Sequence, residues 1–402
     1  MSIGLGVALL FGSTTPAEAQ PRGGGMMMGM GRLTEPDVSS KDIESYAALL
    51  SLTEEQKAAA NELLLSYQQE FSALAEQVRQ IRDGARQEFE ETRDPAVWQD
   101  LMPRFEELGE EKKALESSFL EDFRLLLTPE QDALWPKLER MRRRDRTLSQ
   151  GGIVSGETVD LFKVIEESKL SEETTAALSA VLEQYEMDLD RALIERNETY
   201  ETGMARGMQN WRDQDFESME ENFAKARDAA IKLRDINRKY ARQIEGLLPE
   251  ESRAEFNRKF KEASFPRVYA KTYVTRAFEA TDGFEDLTAE QREQIRAMRE
   301  AYTRELNAIN EKMAAAIEEG ELTRGVRDMM GMGPGGGNEA TREGREARRE
   351  LDRATEEKLR ALLTEEQQAR LPERPSQNWR EGGQREERTR RMGEREERPR
   401  EL

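Results

Sequence analysis

The 402-residue chain contains neither cysteine nor histidine. The lack of cysteine excludes disulfides, thiolate chemistry and lipid attachment at cysteine. The lack of histidine removes the most frequent general base and the most frequent zinc ligand. Catalysis would have to rest on carboxylates, lysine, tyrosine or serine alone, and no glycine-rich phosphate loop stands between a strand and a helix. We therefore predict that the chain is not an enzyme and that it needs no cofactor.

Apolar residues are also scarce. Hydrophobic residues make up 36% of the chain, charged residues another 36%, and aromatic residues only 6%. This composition suits long helices that each bury one narrow apolar seam, and it disfavours a thick globular core. The net charge of −20 argues against nucleic acid or an anionic membrane surface as a partner.

The N-terminus has the pattern of an export signal. A short apolar run at residues 3–11 is followed by Ala17-Glu18-Ala19, an A-x-A cleavage site, although no basic residue precedes the run. The run is too short to span a bilayer as an uncleaved anchor, and no other segment could span one. We predict that residues 1–19 are a signal peptide and that the mature protein is soluble and periplasmic. The Gly/Met-rich residues 20–40 and the charged residues 373–402 are predicted to be disordered.

One short phrase recurs six times along the chain. Two copies, which begin at Leu170 and Leu248, are decayed, and four copies have the full pattern L-T-x-x-Q. The full copies consist of Leu52, Thr53 and Gln56; Leu127, Thr128 and Gln131; Leu287, Thr288 and Gln291; and Leu363, Thr364 and Gln367. The separations between successive leading leucines alternate between about 75 and about 40 residues, so one unit occurs three times in tandem.

The apolar positions within each unit have helical spacing. Tyr67, Tyr185 and Tyr302 occupy the same register, and the first unit continues with a heptad seam. That seam consists of Ala60, Leu64, Tyr67, Phe71, Leu74, Val78, Ile81 and Ala85. A seam of this kind requires a partner helix, so each long interval is predicted to be a helical hairpin. The predicted tips are Asp94-Pro95, residues 203–213 and the glycine-rich residues 331–337.

These patterns together predict an all-α fold. We expect three tandem antiparallel long-helix hairpins with coiled-coil-like packing, in an extended arrangement with disordered termini. The predicted units cover residues 41–150, 151–268 and 269–372, and a short helix precedes each hairpin.

The repeated motif has the chemistry of a capping box. The threonine hydroxyl accepts a hydrogen bond from the amide of the third helical residue, and the glutamine side chain returns a bond to the threonine amide. Helix initiation alone would account for the motif, and the decayed copy with Pro249 at the threonine position is compatible with such a purely structural role.

Paired L-T-x-x-Q motifs in an exported helical chain also resemble the Spy/CpxP family of periplasmic stress proteins. The resemblance covers about residues 40–372, as three family-like units. It implies helical hairpins that commonly dimerise into a shallow cradle, and an ATP-independent chaperone activity toward unfolded polypeptides. This chain differs from the family in being strongly acidic where chaperone members present a basic concave surface, and in lacking the histidines of metal-responsive relatives.

Two other functions compete with a chaperone that shields unfolded or partly folded polypeptides. One is a structural or scaffold coiled-coil protein of the envelope that binds a folded partner. The other is a metal-responsive regulator, because thioethers bind Cu(I) and methionines cluster at residues 26–30 and 329–332. Low-complexity Gly/Met sequence also explains these clusters. A chaperone predicts a contiguous exposed apolar strip along a hairpin, whereas a scaffold predicts buried seams and mainly charged faces.

Overall fold

The structure, a computed structural model, describes residues 33–94, 96–213, 215–329 and 339–373. Within these ranges the chain forms helices and no strands, which confirms the all-α prediction. The predicted signal peptide, the methionines at residues 26–30, the tip at 331–337 and residues 374–402 of the tail lie outside the described residues. The chain divides into two compact units, one that ends at Glu139 and one that begins at Arg140.

The first unit contains one long helical hairpin and short helices at its base. Its helices are α1 (Ser40–Leu50), α2 (Glu54–Thr92), α3 (Ala96–Asp100), α4 (Met102–Leu125), α5 (Pro129–Asp132) and the start of α6 (Trp135–Thr147). α2 packs against α4, and the first turn of α2 contacts the end of α4, so the two helices are antiparallel. The 39 residues of α2 span roughly 58 Å, since each residue adds about 1.5 Å. We call this α2–α4 pair hairpin 1.

The heptad seam of α2 forms the core of hairpin 1. All the predicted seam residues are buried except Ile81, which is half-buried. Tyr67 contacts Phe119 of α4, with ring centroids 5.5 Å apart. Phe123 is fully buried at the base, where its ring contacts Tyr46, Phe119 and Trp135.

The second unit contains two more hairpins. Its helices after α6 are α7 (Leu161–Glu167), α8 (Glu172–Ala177), α9 (Ser179–Arg212), α10 (Phe216–Leu247), α11 (Glu250–Ser264), α12 (Pro266–Tyr269), α13 (Tyr273–Thr281), α14 (Ala289–Thr323), α15 (Val326–Met329), α16 (Glu339–Leu362) and α17 (Glu365–Ala369). α9 packs against α10 as hairpin 2, and α14 packs against α16 as hairpin 3.

The tip of hairpin 2 is narrower than the sequence predicted. The glycines at 203 and 207 suggested a turn across residues 203–213, but α9 continues to Arg212 and α10 begins at Phe216. Glycine costs a helix only about 1 kcal/mol relative to alanine. The contacts along α9 and α10 outweigh this cost, and the helix therefore runs through both glycines.

Hairpins 2 and 3 contact each other within the second unit, largely through polar groups. Arg238 of α10 forms an ion pair with Glu318 of α14. Glu321 of α14 accepts hydrogen bonds from the backbone amide (2.9 Å) and the hydroxyl (2.6 Å) of Ser155. A smaller apolar cluster, which includes Val268 and Met313, lies beside these contacts. The second and third repeats are therefore parts of one compact body.

Candidate functional site

All four full L-T-x-x-Q motifs form capping boxes at helix starts. In the first copy, the Thr53 hydroxyl accepts from the Gln56 amide at 3.2 Å, and the Gln56 side-chain oxygen accepts from the Thr53 amide at 2.9 Å. The copies at Thr128, Thr288 and Thr364 have the same reciprocal pair of bonds. The pKa of Glu55, in the first turn of α2, is lowered. The main cause is a hydrogen bond from its own backbone amide, and a bond from the Thr53 hydroxyl adds to it.

The glutamines also join the two motifs of a hairpin to each other. Gln56 Nε2 donates to Gln131 Oε1 at 2.8 Å, and Gln131 Nε2 donates to Gln56 Oε1 at 3.0 Å. Each Nε2 also donates to the carbonyl before the opposite motif, which is Leu126 O at 2.7 Å for Gln56 and Ser51 O at 3.4 Å for Gln131. The side-chain amides thereby satisfy their full hydrogen-bonding capacity. We call this paired arrangement the glutamine clamp.

Hairpin 3 has a related glutamine clamp, which keeps one of the two glutamine–glutamine bonds. Gln291 Nε2 donates to Gln367 Oε1 at 3.2 Å and to the Leu362 carbonyl at 2.9 Å. Gln367, which is buried, donates to the carbonyl and the carboxylate of Asp286, both at 3.3 Å. Leu362 and Asp286 each precede the leading leucine of a motif, as Leu126 and Ser51 do in hairpin 1. The same contact therefore closes the bases of hairpins 1 and 3.

Hairpin 2 has neither glutamine. Ser171 accepts from the Thr174 amide at 3.2 Å and still caps α8, but the threonine side chain takes the place of glutamine there. At the opposite motif Pro249 makes no side-chain cap bond, and Arg253 donates to the Leu248 carbonyl at 3.0 Å. A glutamine clamp needs two glutamines, so one glutamine alone would have no glutamine partner at the base of the hairpin. Both motifs of hairpin 2 thus lack their glutamine, a pattern that is visible in the sequence only when the two motifs of one hairpin are compared.

We expect the two glutamines of hairpin 1 to act as one energetic unit. Gln56→Ala should lower the free energy of unfolding of the first unit by about 1–3 kcal/mol, because it removes the side-chain bonds to Gln131, to the Leu126 carbonyl and to the Thr53 amide. Adding Gln131→Ala should then cost less than it does alone, with a coupling energy of at least about 0.5 kcal/mol. Urea denaturation of the wild-type protein, the two single variants and the double variant measures this coupling energy. Gln80→Ala, at an exposed glutamine of the same helix, is the control. If the losses of unfolding free energy in the two single variants simply add in the double variant, the glutamine clamp is contradicted.

The three tyrosines in register share one structural role. Each hydroxyl bonds to the start of the short helix that precedes its hairpin. Tyr67 accepts from the Asp37 amide at 2.9 Å just before α1, and Tyr185 accepts from the Leu161 amide at 3.3 Å at the start of α7. Tyr302 bonds to the hydroxyl of Thr272, the cap of α13, and donates to Asp352 at 2.6 Å. Burial raises the pKa of all three tyrosines, so their hydroxyls stay protonated.

Among the described side chains, the exposed apolar residues are separate and form no continuous strip within a helix. The large apolar residues exposed in the described ranges are Leu65, Leu125, Leu134, Met187, Ile194, Phe216, Leu247 and Leu322. Only Met187 and Ile194 are spaced to share one face of a helix, since they are seven residues apart. The most exposed are Leu125, at 82%, and Leu65, at 66%, both in hairpin 1. Among the side chains that the structure describes, the strip that the chaperone hypothesis predicts does not run along any one helix.

Charged residues surround these apolar side chains. Many form ion pairs three or four residues apart on one helix, such as Glu76 with Arg79 and Glu110 with Lys113. Exposed pairs of this kind contribute little to stability, typically about 0–1 kcal/mol. They keep the outer faces of the hairpins strongly hydrated.

In the described ranges, no group of three or more acidic side chains is placed to hold a metal ion. The methionine clusters that motivated the metal hypothesis lie outside the side chains that the structure describes, so that hypothesis stays a prediction. No helix in residues 33–373, as far as these are described, is long and apolar enough to cross a membrane.

No family model, no curated protein and no solved structure matches the chain significantly.

Proposed function

We propose that this protein is an exported, ATP-independent binding protein that transiently shields unfolded or partly folded polypeptides, as the resemblance to the Spy/CpxP family implies. The observation that carries the proposal is the recurrence of the paired L-T-x-x-Q motifs, on which the resemblance rests. Separate exposed apolar side chains, such as Leu65 and Leu125, would be the contact points for clients, whereas the buried seams and charged faces fit the expectation for a scaffold. The full paired motifs in hairpins 1 and 3 carry the resemblance, and hairpin 2 has only decayed copies.

The weakness of such a surface suits a chaperone that uses no nucleotide. Full burial of one leucine side chain contributes about 1.5–3 kcal/mol, so a client that touches one or two of them is held only briefly. Release then needs no energy input.

A scaffold that binds a folded partner is the second candidate. The polar contacts between hairpins 2 and 3, such as Arg238 with Glu318, favour it, because they make a fixed double-hairpin body that could serve as a rigid support. However, stable interfaces between folded proteins usually bury about 1,200–2,000 Å² around an apolar core. The separate leucines offer no such core within a single helix.

The test is suppression of aggregation, followed by light scattering, of a chemically denatured globular enzyme without ATP. The chain without residues 1–19 should suppress scattering near equal molar ratio. Leu65→Ser combined with Leu125→Ser should remove at least about half of the effect, since it removes two contacts of about 1.5–3 kcal/mol each.

The control for this experiment is Glu110→Ser, an exposed change on α4 that removes no apolar surface. Circular dichroism checks that every variant remains helical. If the helical wild-type protein fails to suppress aggregation of several clients, the chaperone proposal is wrong and the scaffold function is favoured.

A further inference from the structure

The two long helices of hairpin 1 carry an excess of negative charge that no cation of these helices balances. α2 contains nine acidic and four basic residues, and α4 contains seven acidic and four basic residues. All eight basic side chains pair with a carboxylate, namely Lys57, Arg79, Arg82, Arg86, Arg104, Lys112, Lys113 and Arg124. Because acidic residues outnumber basic ones two to one, α2 and α4 present unpaired carboxylates and no unpaired cation.

Some of these carboxylates lie one helical turn from the two most exposed leucines, Leu125 at 82% and Leu65 at 66%. Glu62 precedes Leu65 by three residues, and Glu121 and Asp122 precede Leu125 by four and three. Residues at these spacings are neighbours on a helix surface, with Cβ atoms about 5–6 Å apart. All three carboxylates are exposed, and none has a hydrogen-bond or ion-pair partner among the described residues. No basic residue stands three or four positions from either leucine.

The repeat itself does not require leucine at these two positions. In hairpins 2 and 3 the corresponding register positions hold acidic or small residues, namely Glu183, Glu300, Gly246 and Ala361. Their long helices nevertheless pack as hairpins. Side chains as exposed as Leu65 and Leu125 also contribute little to stability. The fold therefore does not explain these leucines, which are a feature of hairpin 1 alone.

A partner that uses both features would place an apolar group on the leucine and a cation on the neighbouring carboxylate. In an extended chain, side chains two residues apart point to the same side and are separated by about 7 Å, since each residue adds about 3.3 Å. This separation is close to that between a leucine and its carboxylate neighbour on the helix. An acidic surface also attracts basic chains and repels acidic ones before contact.

We propose that hairpin 1 binds unfolded polypeptide segments in which lysine or arginine lies within two residues of an apolar side chain. Leu65 with Glu62 forms one contact point. Leu125 with Glu121 and Asp122 forms the other. This inference rests on the proposed function, because it names the class of client that is shielded.

Fluorescence anisotropy of labelled peptides, with the chain without residues 1–19, tests the inference. Two short unstructured peptides contain the same leucines, glycines and serines, and the lysines of one replace the glutamates of the other. The lysine peptide should bind saturably, and the glutamate peptide should bind at least about tenfold more weakly. An ionic strength of about 1 M shortens the Debye length to about 3 Å, so it should remove most of this difference.

Charge variants locate the contact points. The triple variant Glu62→Gln, Glu121→Gln and Asp122→Asn should lower the preference for the lysine peptide at least about threefold, because it removes the charges beside the leucines. The control makes the same change in net charge at exposed positions of hairpin 3, in the triple variant Glu305→Gln, Glu346→Gln and Glu357→Gln. This control should leave the preference unchanged.

Leu65→Ser combined with Leu125→Ser tests the apolar half of the contact. It should weaken binding of the lysine peptide at least about tenfold, because the client no longer buries its apolar side chains against the leucines. Circular dichroism checks that each variant remains helical. Folded lysozyme, which is basic, should not displace the lysine peptide. Displacement would assign the surface to folded basic partners and overturn the inference.

The inference is also overturned if the two peptides bind equally, if neither saturates, if the hairpin 3 control lowers the preference as much as the hairpin 1 variant, or if the leucine variant binds like the wild type. The proposed function is decided separately by suppression of aggregation. Suppression together with equal binding of the two peptides would reject the basic client class and keep the proposed function.

Discussion

Arg196→Met is expected to lower the free energy of unfolding of the second unit by about 3–5 kcal/mol, because it leaves a buried carboxylate without its cation. Arg196 and Glu157 are both 0% exposed, and Arg196 lies 3.2 Å from Glu157 Oε1. The arginine also donates to the carbonyls of Leu148 and Thr147, which it would no longer satisfy.

Among the described residues, Arg196 is the cation that pairs with Glu157. Its carboxylate accepts from the amides of Gly152 at 2.7 Å and Ile153 at 3.0 Å and from the Tyr200 hydroxyl at 3.0 Å. These donors orient the carboxylate but do not neutralise its charge. A Cβ atom at Gly151 would lie only 2.2 Å from the carboxylate, so water has little room to enter beside it.

Urea denaturation monitored by circular dichroism measures the loss. The double variant Arg196→Met with Glu157→Leu should recover part of it, because an apolar pair of similar volume carries no desolvation cost. Arg191→Met, on the exposed face of the same helix, should change the free energy of unfolding by less than about 0.5 kcal/mol. A loss of under about 1 kcal/mol in Arg196→Met would show that Glu157 is not isolated from solvent.

Phe123→Ala should have a comparable effect on the first unit, a loss of about 3–5 kcal/mol in the free energy of unfolding. Phe123 is 0% exposed, and its ring is 5.8 Å from that of Tyr46 and 6.1 Å from that of Phe119, centroid to centroid. Its removal leaves a cavity at the point where α1, α4 and α6 meet.

A matched control lies two residues along the same helix. Leu125 is 82% exposed, so Leu125→Ala removes three carbon atoms from the solvent-exposed surface, whereas Phe123→Ala removes six from the core. We expect it to change the free energy of unfolding, obtained from thermal unfolding, by less than about 1 kcal/mol. Similar losses in Phe123→Ala and Leu125→Ala would mean that the base of hairpin 1 is not packed as described.

The sequence predicted the elements that depend on short-range patterns. The heptad spacing from Ala60 to Ala85 located the buried face of α2, because the helical period determines which residues share a face. The capping chemistry of Thr53 and Gln56 located the start of that helix, because these residues lie three apart. Helix α9 continues through most of the predicted tip, as far as Arg212, because packing outweighs the local preference of glycine.

The remaining features depend on residues that are distant in the chain. Tyr185 was recognised as part of a repeated column, but its bond to the Leu161 amide is visible only in the folded structure. The contact between Gln56 and Gln131 joins two motifs that each seemed complete on their own. Burial of Arg196 with Glu157 could not be predicted, because charged residues are rarely buried and no local pattern marks the exceptions.

The glutamine clamp makes the covalent connection at the far end of hairpin 1 dispensable for holding its arms in register. The arms are fixed at one end by Gln56 and Gln131 and along their length by the apolar seam. The connection near Asp94 takes no part in the clamp, although Val97 of the following α3 is buried. We expect a peptide inserted at Asp94 to leave the register of α2 and α4 unchanged. The L-T-x-x-Q pair thus lets hairpins of this kind vary in the length and content of their tips while their bases remain the same.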